Sequence, residues 1–507
     1  MEQKYIEIMD TTLRDGEQTS GVSFSSSEKL KIAQLLLLEL GVDRIEVASA
    51  RVSQGEFDAV QQIVSWAESK GFLSKVEVLS FVDNGLSLQW ISDAGGQVQN
   101  LLTKGSLNHL KHQLKKTASE HFNEISHNIE QAHTMGIATN VYLEDWSNGM
   151  KTSKSYTLEF IDFLANQRVN RIMLPDTLGV LTPKESFDFV SEIRNLHPEI
   201  HLDFHTHNDY DLSVGNVIEG VRAGADGIHL TVNGMGERAG NAPFASAVAV
   251  IKDFMPEFRT GIKEDALFAV SKLVERFSAF AIPVNKPIVG SNVFTQTAGI
   301  HADGDSKNNL YFNDLLPERF GRKRKYALGK TSGKANISKN LEELGLVLEE
   351  DEIKRVTKRV IELGDKKQTV TQEDLPYIIS DVLDEHYFKE HIKIESYVLN
   401  HSFGLMPSAG LKIKIKEQYY ESHAQGDGQF DAFIKALNAV LEKVNYGIPK
   451  LIDYAVRIPP GSTSDALCET SITWSFQSET VVSRGLDSDQ TVSAIKATQK
   501  MLNTIYK

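Results

Sequence analysis

The sequence predicts an α/β protein made of a (β/α)8 TIM barrel, then a linker region, then a duplicated α+β domain. Short β-rich runs alternate with helical runs from residue 5 to about residue 255, and this order indicates right-handed βαβ crossovers and a parallel sheet. Eight such units in about 250 residues match the count and length of a barrel. An open, doubly wound sheet is the alternative, but no G-x-G-x-x-G motif follows the first strand.

The predicted elements alternate regularly along the barrel. The eight strands are YIEIM (5–9), DRIEVAS (43–49), VEVLSFV (76–82), QVQNLL (97–102), IATNVYLE (137–144), VNRIMLP (169–175), IHLDFHT (200–206) and DGIHLTV (226–232). The clearest helix covers residues 28–40, because Ser25 and Glu28 form the S-x-x-E capping pattern at its start and Gly41 closes it.

The chain of 507 residues is long enough for two or three domains. We expect the barrel in residues 1–284, the linker region in residues 285–392 and the duplicated domain in residues 393–507. The linker region contains two acidic helical patterns, NLEELGLVLEEDEIKRVTKRVIELG and TQEDLPYIISDVL. The last domain contains two strand–strand–strand–helix patterns, whose helices we place at 429–445 and 489–505.

The composition excludes several classes of protein. A net charge of −14 argues against nucleic acid or an anionic membrane surface as the main partner. A single cysteine, Cys468, excludes an internal disulfide and fits a reducing compartment. The densest apolar run, IAQLLLLEL, is too short to span a membrane, and the first residues lack a secretory pattern. We therefore expect a cytoplasmic protein.

Polar side chains cluster where the predicted strands end, which is where a parallel barrel places its active site. In the seventh strand, His205 and His207 are two residues apart and therefore point to the same face. With the Asp15 carboxylate and Asn241 as an oxygen donor, they form a mixed N/O set suited to Mn²⁺, Zn²⁺ or Mg²⁺. The alternative is a polar strand end with hydrogen-bonded histidines.

Four motifs, DTTLRDGEQ, PDTLG, HTHND and NGMGERAGN, resemble signatures of the isopropylmalate, homocitrate and citramalate synthases. QTAGIHADG and ALGKTSGK are similar to the linker of this family, and the duplicated domain resembles its regulatory domain. The resemblance implies a metal-dependent TIM-barrel acyltransferase that condenses acetyl-CoA with a small 2-oxo acid. It also implies a homodimer that is inhibited by isoleucine or leucine.

The resemblance gives several residues a catalytic role. Arg14 would bind the 2-oxo acid and stabilise the negative charge that develops on its keto oxygen. Glu144, in the barrel mouth, is one candidate for the base that forms the enolate, and it could instead orient water. His301 of GIHADG, with Tyr311 nearby, is the other candidate, and the resemblance implies that a partner subunit contributes it. The alternative for His301 is a structural loop histidine.

The linker also supplies candidates for binding CoA. Asp303, Asn309 and Leu310 belong to the same segment as His301. The run RFGRKRKYALGKTSGK has seven basic residues and no acidic residue, and it could attract the CoA phosphates. A solvated structural loop is the alternative for this run.

The choice of 2-oxo acid depends on the residues at three strand ends. Leu79, Leu102 and Tyr142 would line the acceptor pocket, with Thr177 as a further contact to the substrate. Their bulk leaves room for about a methyl group, which favours pyruvate over 2-oxoisovalerate, the acceptor of an isopropylmalate synthase. The alternative is that these side chains are ordinary barrel core. A metal-dependent lyase and a catalytically silent amino-acid sensor are the two other functions that share parts of this pattern.

Overall fold

The computed structural model describes residues 3–298, 304, 310, 313–365, 370–383, 391–457, 468–477 and 479–506. The chain forms two compact units. The first contains Met1–Thr295 and Tyr311–Lys325, and the second contains Gln296–Leu310 and Tyr326–Lys507.

The first unit is a closed barrel of eight parallel strands, which confirms the predicted fold. The strands are β1 (Glu7–Asp10), β2 (Arg44–Ser49), β3 (Val76–Phe81), β4 (Val98–Lys104), β5 (Ala138–Glu144), β6 (Arg171–Asp176), β7 (Leu202–Thr206) and β8 (Gly227–Leu230). Each strand pairs with its neighbours in the chain, and β8 closes the barrel on β1, with Ile228 opposite Ile8. A parallel pair of short strands, Lys4–Tyr5 and Phe258–Arg259, lies outside the barrel.

Helices connect the barrel strands and pack around them. They are Ser26–Gln34, Gln54–Lys70, Leu86–Asp93, Leu107–His109, Ala118–Thr134, Trp146–Thr152, Lys154–Ala165, Pro183–Leu196, Ser213–Arg222, Phe244–Phe254 and Leu267–Ser278. The first helix begins as predicted, because the Ser25 side chain accepts the N–H of Glu28 and the Glu28 carboxylate accepts the N–H of Ser25. It continues as a π-helix over Leu35–Leu40 and ends at Gly41, whose φ of 79° is left-handed.

The barrel interior is unusually polar. Apolar side chains fill the layer between the strands and the helices, as expected for this fold. Inside the barrel, Met9, Leu79, Tyr142 and Met173 form only a small apolar cluster. Ion pairs and hydrogen bonds among buried side chains occupy much of the remaining space. This polar interior connects the bottom of the barrel to the mouth.

Three helices of the second unit, Lys334–Leu344, Glu350–Asp365 and Leu375–Leu383, share one apolar core. The sequence predicted one helical pattern where the first two of these lie. The structure corrects this, because Gly345 takes a left-handed φ of 68° and ends the first helix.

The rest of the second unit contains two similar halves, as the sequence predicted. One antiparallel sheet consists of Ile392–Asn400, Ser408–Ile415 and Gln418–Gln425, followed by the helix Gln429–Lys443. The other consists of Lys450–Arg457, Cys468–Phe476 and Glu479–Asp487, followed by the helix Gln490–Ile505. Apolar residues from both halves form one core. Among the described residues, no helix is both long and apolar enough to cross a membrane.

Candidate active site

A cavity of about 230 Å³ opens at the carboxyl ends of the barrel strands. It is lined by Arg14, Asp15, Gln18, Ser49, Leu79, Phe81, Leu102, Tyr142, Glu144, Pro175, Thr177, His205, His207 and Glu237. The structure therefore brings together every site residue that the sequence predicted within the barrel, except Asn241. Asn241 lies beside this cavity, where it forms an antiparallel bridge with His207.

The turn after β1 presents Arg14 and Asp15 to the cavity. The carbonyl of Thr11 accepts the backbone N–H groups of Arg14, Asp15 and Gly16 at 3.1, 2.8 and 3.1 Å. The Asp10 carboxylate accepts the N–H and the hydroxyl of Thr12 at 2.9 and 3.0 Å, which fixes the start of the turn. Burial raises the pKa of Asp10 to about 7. The tight turn lets two consecutive side chains reach one cavity.

Asp15, His205 and His207 form a buried cluster whose potential ligand atoms all lie within 4.8 Å of one another. The Asp15 Oδ2 lies 3.4 Å from Nε2 of His205 and 3.9 Å from Nε2 of His207. Burial favours the neutral carboxyl at Asp15, but the charge of Arg14 and the interactions with His205 and His207 together outweigh burial and hold the pKa of Asp15 well below its usual value. Burial also lowers the pKa of His207 to about 4, so its ring is neutral at pH 7.

The donor set fits a divalent ion. Asp15 Oδ1 and Asn241 Oδ1 are buried and have no hydrogen-bond partner among the described residues. An unpaired buried oxygen is costly, and a cation that accepts its lone pair removes this cost. The amide of Asn241 is oriented by its Nδ2, which donates to the carbonyl of Met235 at 3.2 Å. Gly236 makes room for it, because a Cβ there would lie 2.5 Å from that nitrogen.

Three acceptors hold the Arg14 guanidinium. Its Nε donates to Glu46 at 2.5 Å, its Nη1 to Asp15 at 3.0 Å and its Nη2 to the Tyr142 hydroxyl at 3.4 Å. Glu46 is itself fixed, because its other oxygen accepts from Asn100 at 2.7 Å. A guanidinium has five N–H groups, so two have no acceptor among the described residues and remain for a ligand in the cavity.

The apolar part of the cavity contains the three predicted acceptor-pocket residues and one more. Leu79 and Tyr142 are buried, at 5% and 2% exposure, and Leu102 and Phe81 are partly buried. The Tyr142 hydroxyl is 3.0 Å from Nδ1 of His229. Burial raises the pKa of Tyr142 well above its usual value, so the phenol is protonated at neutral pH.

Glu144 and Thr177 lie at the rim of the cavity. The Lys104 ammonium, on the neighbouring strand, pairs with the Glu144 carboxylate. The Thr177 hydroxyl accepts the backbone N–H of Asp145 at 2.9 Å, which leaves its own hydrogen free to donate. Both side chains can therefore contact a ligand without losing their present partners.

The predicted linker residues are mostly outside the part of the chain that the structure describes. These are His301, Asp303, Asn309 and Tyr311. Leu310 is described, and its side chain is 67% exposed.

At least four of the seven basic residues in the linker run have structural partners. Arg319 pairs with Glu264 and Asp253, both at 2.6 Å. Arg322 donates to two backbone carbonyls, those of Ile288 and Gly290. In the second unit, Lys330 and Lys334 pair with Asp365 and Glu350. These contacts favour the structural alternative for the run.

Sequence reasoning assigned no role to several residues that support the site. Glu46 accepts from Arg14, Asn100 donates to Glu46, and Lys104 pairs with Glu144. Behind Tyr142 lie His229, which contacts its hydroxyl, and Asp203, which contacts His229. The sequence does contain a signal for them, because charged residues alternate with apolar residues along the predicted strands. In a barrel, one of the two faces of each strand points into the interior, which is expected to be apolar. The charged residues in this pattern are Arg44, Glu46, Glu77 and Asp203.

Comparisons with known proteins agree with this architecture. A model of the HMGL-like family matches residues 5–274, one of the homocitrate synthase post-HMGL domain-like family matches residues 288–368, and one of the LeuA allosteric (dimerisation) domain matches residues 369–506.

Curated relatives match over nearly the full chain. A protein named "Probable 2-isopropylmalate synthase" from Methanopyrus kandleri is 33% identical over 99% of this chain and 98% of its own. Two proteins of Methanocaldococcus jannaschii are each 32% identical. One, an (R)-citramalate synthase, matches 99% of both chains. The other, a 2-isopropylmalate synthase, matches 98% of this chain and 94% of its own. The chain therefore belongs to the HMGL-like family and, within it, to the acyl-CoA-condensing enzymes that include the 2-isopropylmalate and (R)-citramalate synthases.

Proposed function

We propose that this protein condenses acetyl-CoA with pyruvate and water to give (R)-citramalate and CoA. The observation that carries the proposal is the composition of one cavity. It contains a divalent-metal donor set, a guanidinium with two uncommitted N–H groups and a small apolar wall. These are the groups that a condensation on a short 2-oxo acid requires.

Asp15, His205, His207 and Asn241 would hold the divalent ion. When bound, such an ion polarises the keto group of a 2-oxo acid as a Lewis acid and binds its carboxylate. The nearly full burial of the donor set and the neutral state of His207 at pH 7 favour binding under physiological conditions.

Arg14 stabilises the charge that develops on the keto oxygen. The acetyl methyl loses a proton, its carbon attacks the keto carbon of pyruvate, and the former keto oxygen takes up a proton. Water then cleaves the thioester and releases CoA. Because Glu46, Asp15 and Tyr142 fix the guanidinium in advance, its two remaining N–H groups need no reorientation during the attack.

The proton from the acetyl methyl goes to Glu144 or to His301. Glu144 lines the cavity, which supports it, and the Lys104 ammonium pairs with its carboxylate. His301, with Tyr311, is the alternative that the family resemblance supplies. Thr177 would donate to the carboxylate of the acceptor, and Asp303, Asn309 and Leu310 would contact CoA.

The related proteins differ in the 2-oxo acid that accepts the acetyl group. A citramalate synthase and an isopropylmalate synthase are equally similar to this chain, so the choice depends on the cavity. Leu79, Leu102, Phe81 and Tyr142 all face the space where a side chain of the acceptor would lie. This wall supports pyruvate, and 2-oxoisovalerate is the alternative substrate.

We also propose a homodimer that isoleucine inhibits through residues 393–507. The match of residues 369–506 to a LeuA allosteric (dimerisation) domain supports both statements. Leucine would be the effector if the acceptor were 2-oxoisovalerate.

Release of the thiol from acetyl-CoA, measured with pyruvate, 2-oxobutanoate and 2-oxoisovalerate, tests the proposal. We expect the highest kcat/KM with pyruvate, and loss of turnover after chelation that returns when Mn²⁺ or Zn²⁺ is added. His205→Ala and His207→Ala should each abolish turnover and lower the bound metal while the fold is retained. Preference for 2-oxoisovalerate would identify an isopropylmalate synthase instead, and full activity after exhaustive chelation would exclude the metal.

A further inference from the structure

A line of buried polar side chains connects the cavity to the barrel interior. The Tyr142 hydroxyl lies 3.0 Å from Nδ1 of His229, and Nε2 of His229 lies 3.1 Å from Oδ2 of Asp203. The side chains of His229 and Asp203 are completely buried, and Tyr142 is 2% exposed. The three residues belong to β5, β8 and β7, so they are not close in sequence.

The Asp203 end of this line is fixed. Arg44 donates to Asp203 at 2.6 Å and to Glu77 at 3.0 Å, so the carboxylate is paired with a buried guanidinium and remains ionised. Gly227 permits this arrangement, because a Cβ at that position would lie 2.2 Å from Oδ1 of Asp203. The backbone of β8 and the charge of Arg44 therefore both determine where Asp203 lies.

This geometry determines the direction of the hydrogen bonds. An ionised carboxylate can only accept, so Nε2 of His229 must carry the hydrogen that bonds to Asp203. A neutral imidazole with a hydrogen on Nε2 has its lone pair on Nδ1. The Tyr142 hydroxyl must then donate to His229. Its oxygen is left as an acceptor, and Nη2 of Arg14 donates to it at 3.4 Å.

We propose that Asp203 and His229 are positioning residues for the condensation, which act through the direction of the Tyr142 hydroxyl. This inference rests on the proposed function. When its hydrogen points to His229, the Tyr142 hydroxyl accepts a hydrogen bond from Nη2 of Arg14 and offers no donor to the substrate. If the hydroxyl pointed the other way, its hydrogen would face the N–H of Arg14. Because two donors cannot bond to each other, the hydrogen bond from Nη2 would be lost.

Two substitutions at one position separate this role from a structural one. In His229→Asn, the side-chain oxygen is bonded to Cγ, as Nδ1 is, and can still accept from Tyr142. In His229→Gln, the amide reaches the position of Nε2 and can still donate to Asp203, but the acceptor for Tyr142 is lost. We expect His229→Asn to keep kcat within about 10-fold of wild type and His229→Gln to lower it by about 100-fold, because Arg14 is misplaced.

The opposite order would overturn the inference. If His229 only filled space, the larger glutamine would be tolerated better than asparagine, which leaves a larger void. Tyr142→Phe supplies a second comparison, because it removes the hydroxyl through which His229 acts. In that background His229→Asn and His229→Gln should have equal kcat, and a persistent difference between them would contradict action through Tyr142.

A spectroscopic measurement decides the tautomer without any turnover. In wild-type protein labelled with ¹⁵N-histidine, the His229 signals can be assigned by their loss in His229→Asn. We expect the tautomer with hydrogen on Nε2 at neutral pH, and hydrogen on Nδ1 would overturn the inference. Absence of thiol release with every 2-oxo acid would contradict the proposed function alone, and the tautomer would still decide the direction of the Tyr142 hydroxyl.

Discussion

Arg14 and its two carboxylate partners give the cavity a defined charge. Arg14 contributes +1, and Asp15 and Glu46 contribute −2, so the group carries a net charge of −1. A divalent cation would change this to +1, and the carboxylate of a 2-oxo acid would then bring the site to neutrality. The buried charges therefore match a monoanionic substrate, and the second carboxylate of a longer dicarboxylic acceptor would have no partner among them.

Substitution of Glu46 tests the positioning of Arg14. Glu46→Gln keeps the shape, but the new amide nitrogen must face a donor, either Arg14 or Asn100. We expect kcat/KM for pyruvate to fall by about 10- to 100-fold, which corresponds to about 1.4–2.7 kcal/mol of transition-state binding. Steady-state thiol release measures this change. Bound metal, measured in parallel, should remain at the wild-type level, and an equal loss of metal would show that Glu46 acts on the metal site instead.

Substitution of the apolar wall tests the choice of acceptor. In Leu79→Ala and Tyr142→Ser, kcat/KM for 2-oxobutanoate and 2-oxoisovalerate should rise relative to pyruvate, since each methylene group contributes about 1–3 kcal/mol in such a pocket. The pyruvate rate should fall as well, because the smaller substrate is held less firmly. The ratio of kcat/KM values across the three acids is the measurement. Unchanged ratios would mean that these side chains are barrel core and that specificity lies elsewhere.

The sequence predicted part of this site because the chemistry follows simple spacing. His205 and His207 share a face by period two, and Asp15 follows the end of a strand, so their convergence could be expected. Glu46, Asp203 and His229 could not be assigned in this way. Charged residues that alternate with apolar ones in a strand indicate a solvent-exposed face, whereas here the polar face fills the barrel. Only the closed barrel brings His229 within hydrogen-bonding distance of Tyr142 and Asp203, and Glu46 within hydrogen-bonding distance of Arg14.

At the scale of elements, the strands of the barrel depend on close contacts that only some residues permit. Gly227 of β8 faces the Asp203–Arg44 pair, and a Cβ there would lie 2.2 Å from the carboxylate. We expect Gly227→Ala to lower the free energy of unfolding by about 1–3 kcal/mol, as overpacking does. Gly55→Ala in the same unit is the matched control, because the nearest atom to its Cβ is 3.7 Å away.

Urea unfolding measures both of these variants. Gly55 lies within the helix Gln54–Lys70, so alanine should be neutral or stabilising there, by up to about 1 kcal/mol. A similar effect of the two substitutions would mean that β8 can move to accept the methyl group and that Asp203 is held less tightly than its contacts indicate.

The helix Ala118–Thr134 contains a buried histidine, His121, that should make the free energy of unfolding depend on pH. His121 is 1% exposed, and its Nε2 accepts the backbone N–H of Lys104 at 3.2 Å. Burial lowers its pKa to about 4 from the usual value near 6.5. The unfolded chain therefore binds this proton near pH 6.5 and the folded chain only near pH 4. The contribution of His121 to stability is complete above pH 6.5 and falls by about 3 kcal/mol as the pH drops to 4.

His121→Gln should remove this pH dependence, because glutamine can still accept from Lys104 but does not titrate. The measurement is the difference in unfolding free energy between variant and wild type from pH 7 to pH 4. We expect this difference to change in favour of the variant as the pH falls. A difference that stays constant over this range would mean that His121 is not held neutral by the fold.

The order and type of the elements were predictable, but their internal breaks were not. Alternating β-rich and helical runs predicted all eight strands, because each run has its own apolar period. The π-helical turn at Leu35–Leu40 lies in a run of leucines that fits either kind of helix. Gly345 could have been a tolerated helix glycine, and it ends a helix because the chain there turns back to complete a separate core.

At the scale of the whole molecule, the chain combines a closed barrel with a second unit that contains two similar halves. Each unit has its own apolar core. The barrel cavity and the proposed isoleucine site therefore form two distinct sites in one chain. Inhibition between such sites is a coupling free energy, and it has the same value in both directions.

Reciprocal binding tests this coupling in the full chain. If isoleucine weakens the affinity for pyruvate, pyruvate must weaken the affinity for isoleucine by the same factor, which for typical coupling energies of about 1–3 kcal/mol is about 5- to 150-fold. Calorimetric titration of isoleucine with and without saturating pyruvate measures it. A chain that ends near residue 390 lacks both halves of the duplicated domain and should not bind isoleucine at all. Unchanged binding to this shorter chain would place the effector site in the barrel or the linker, because the residues removed would then contribute nothing to it.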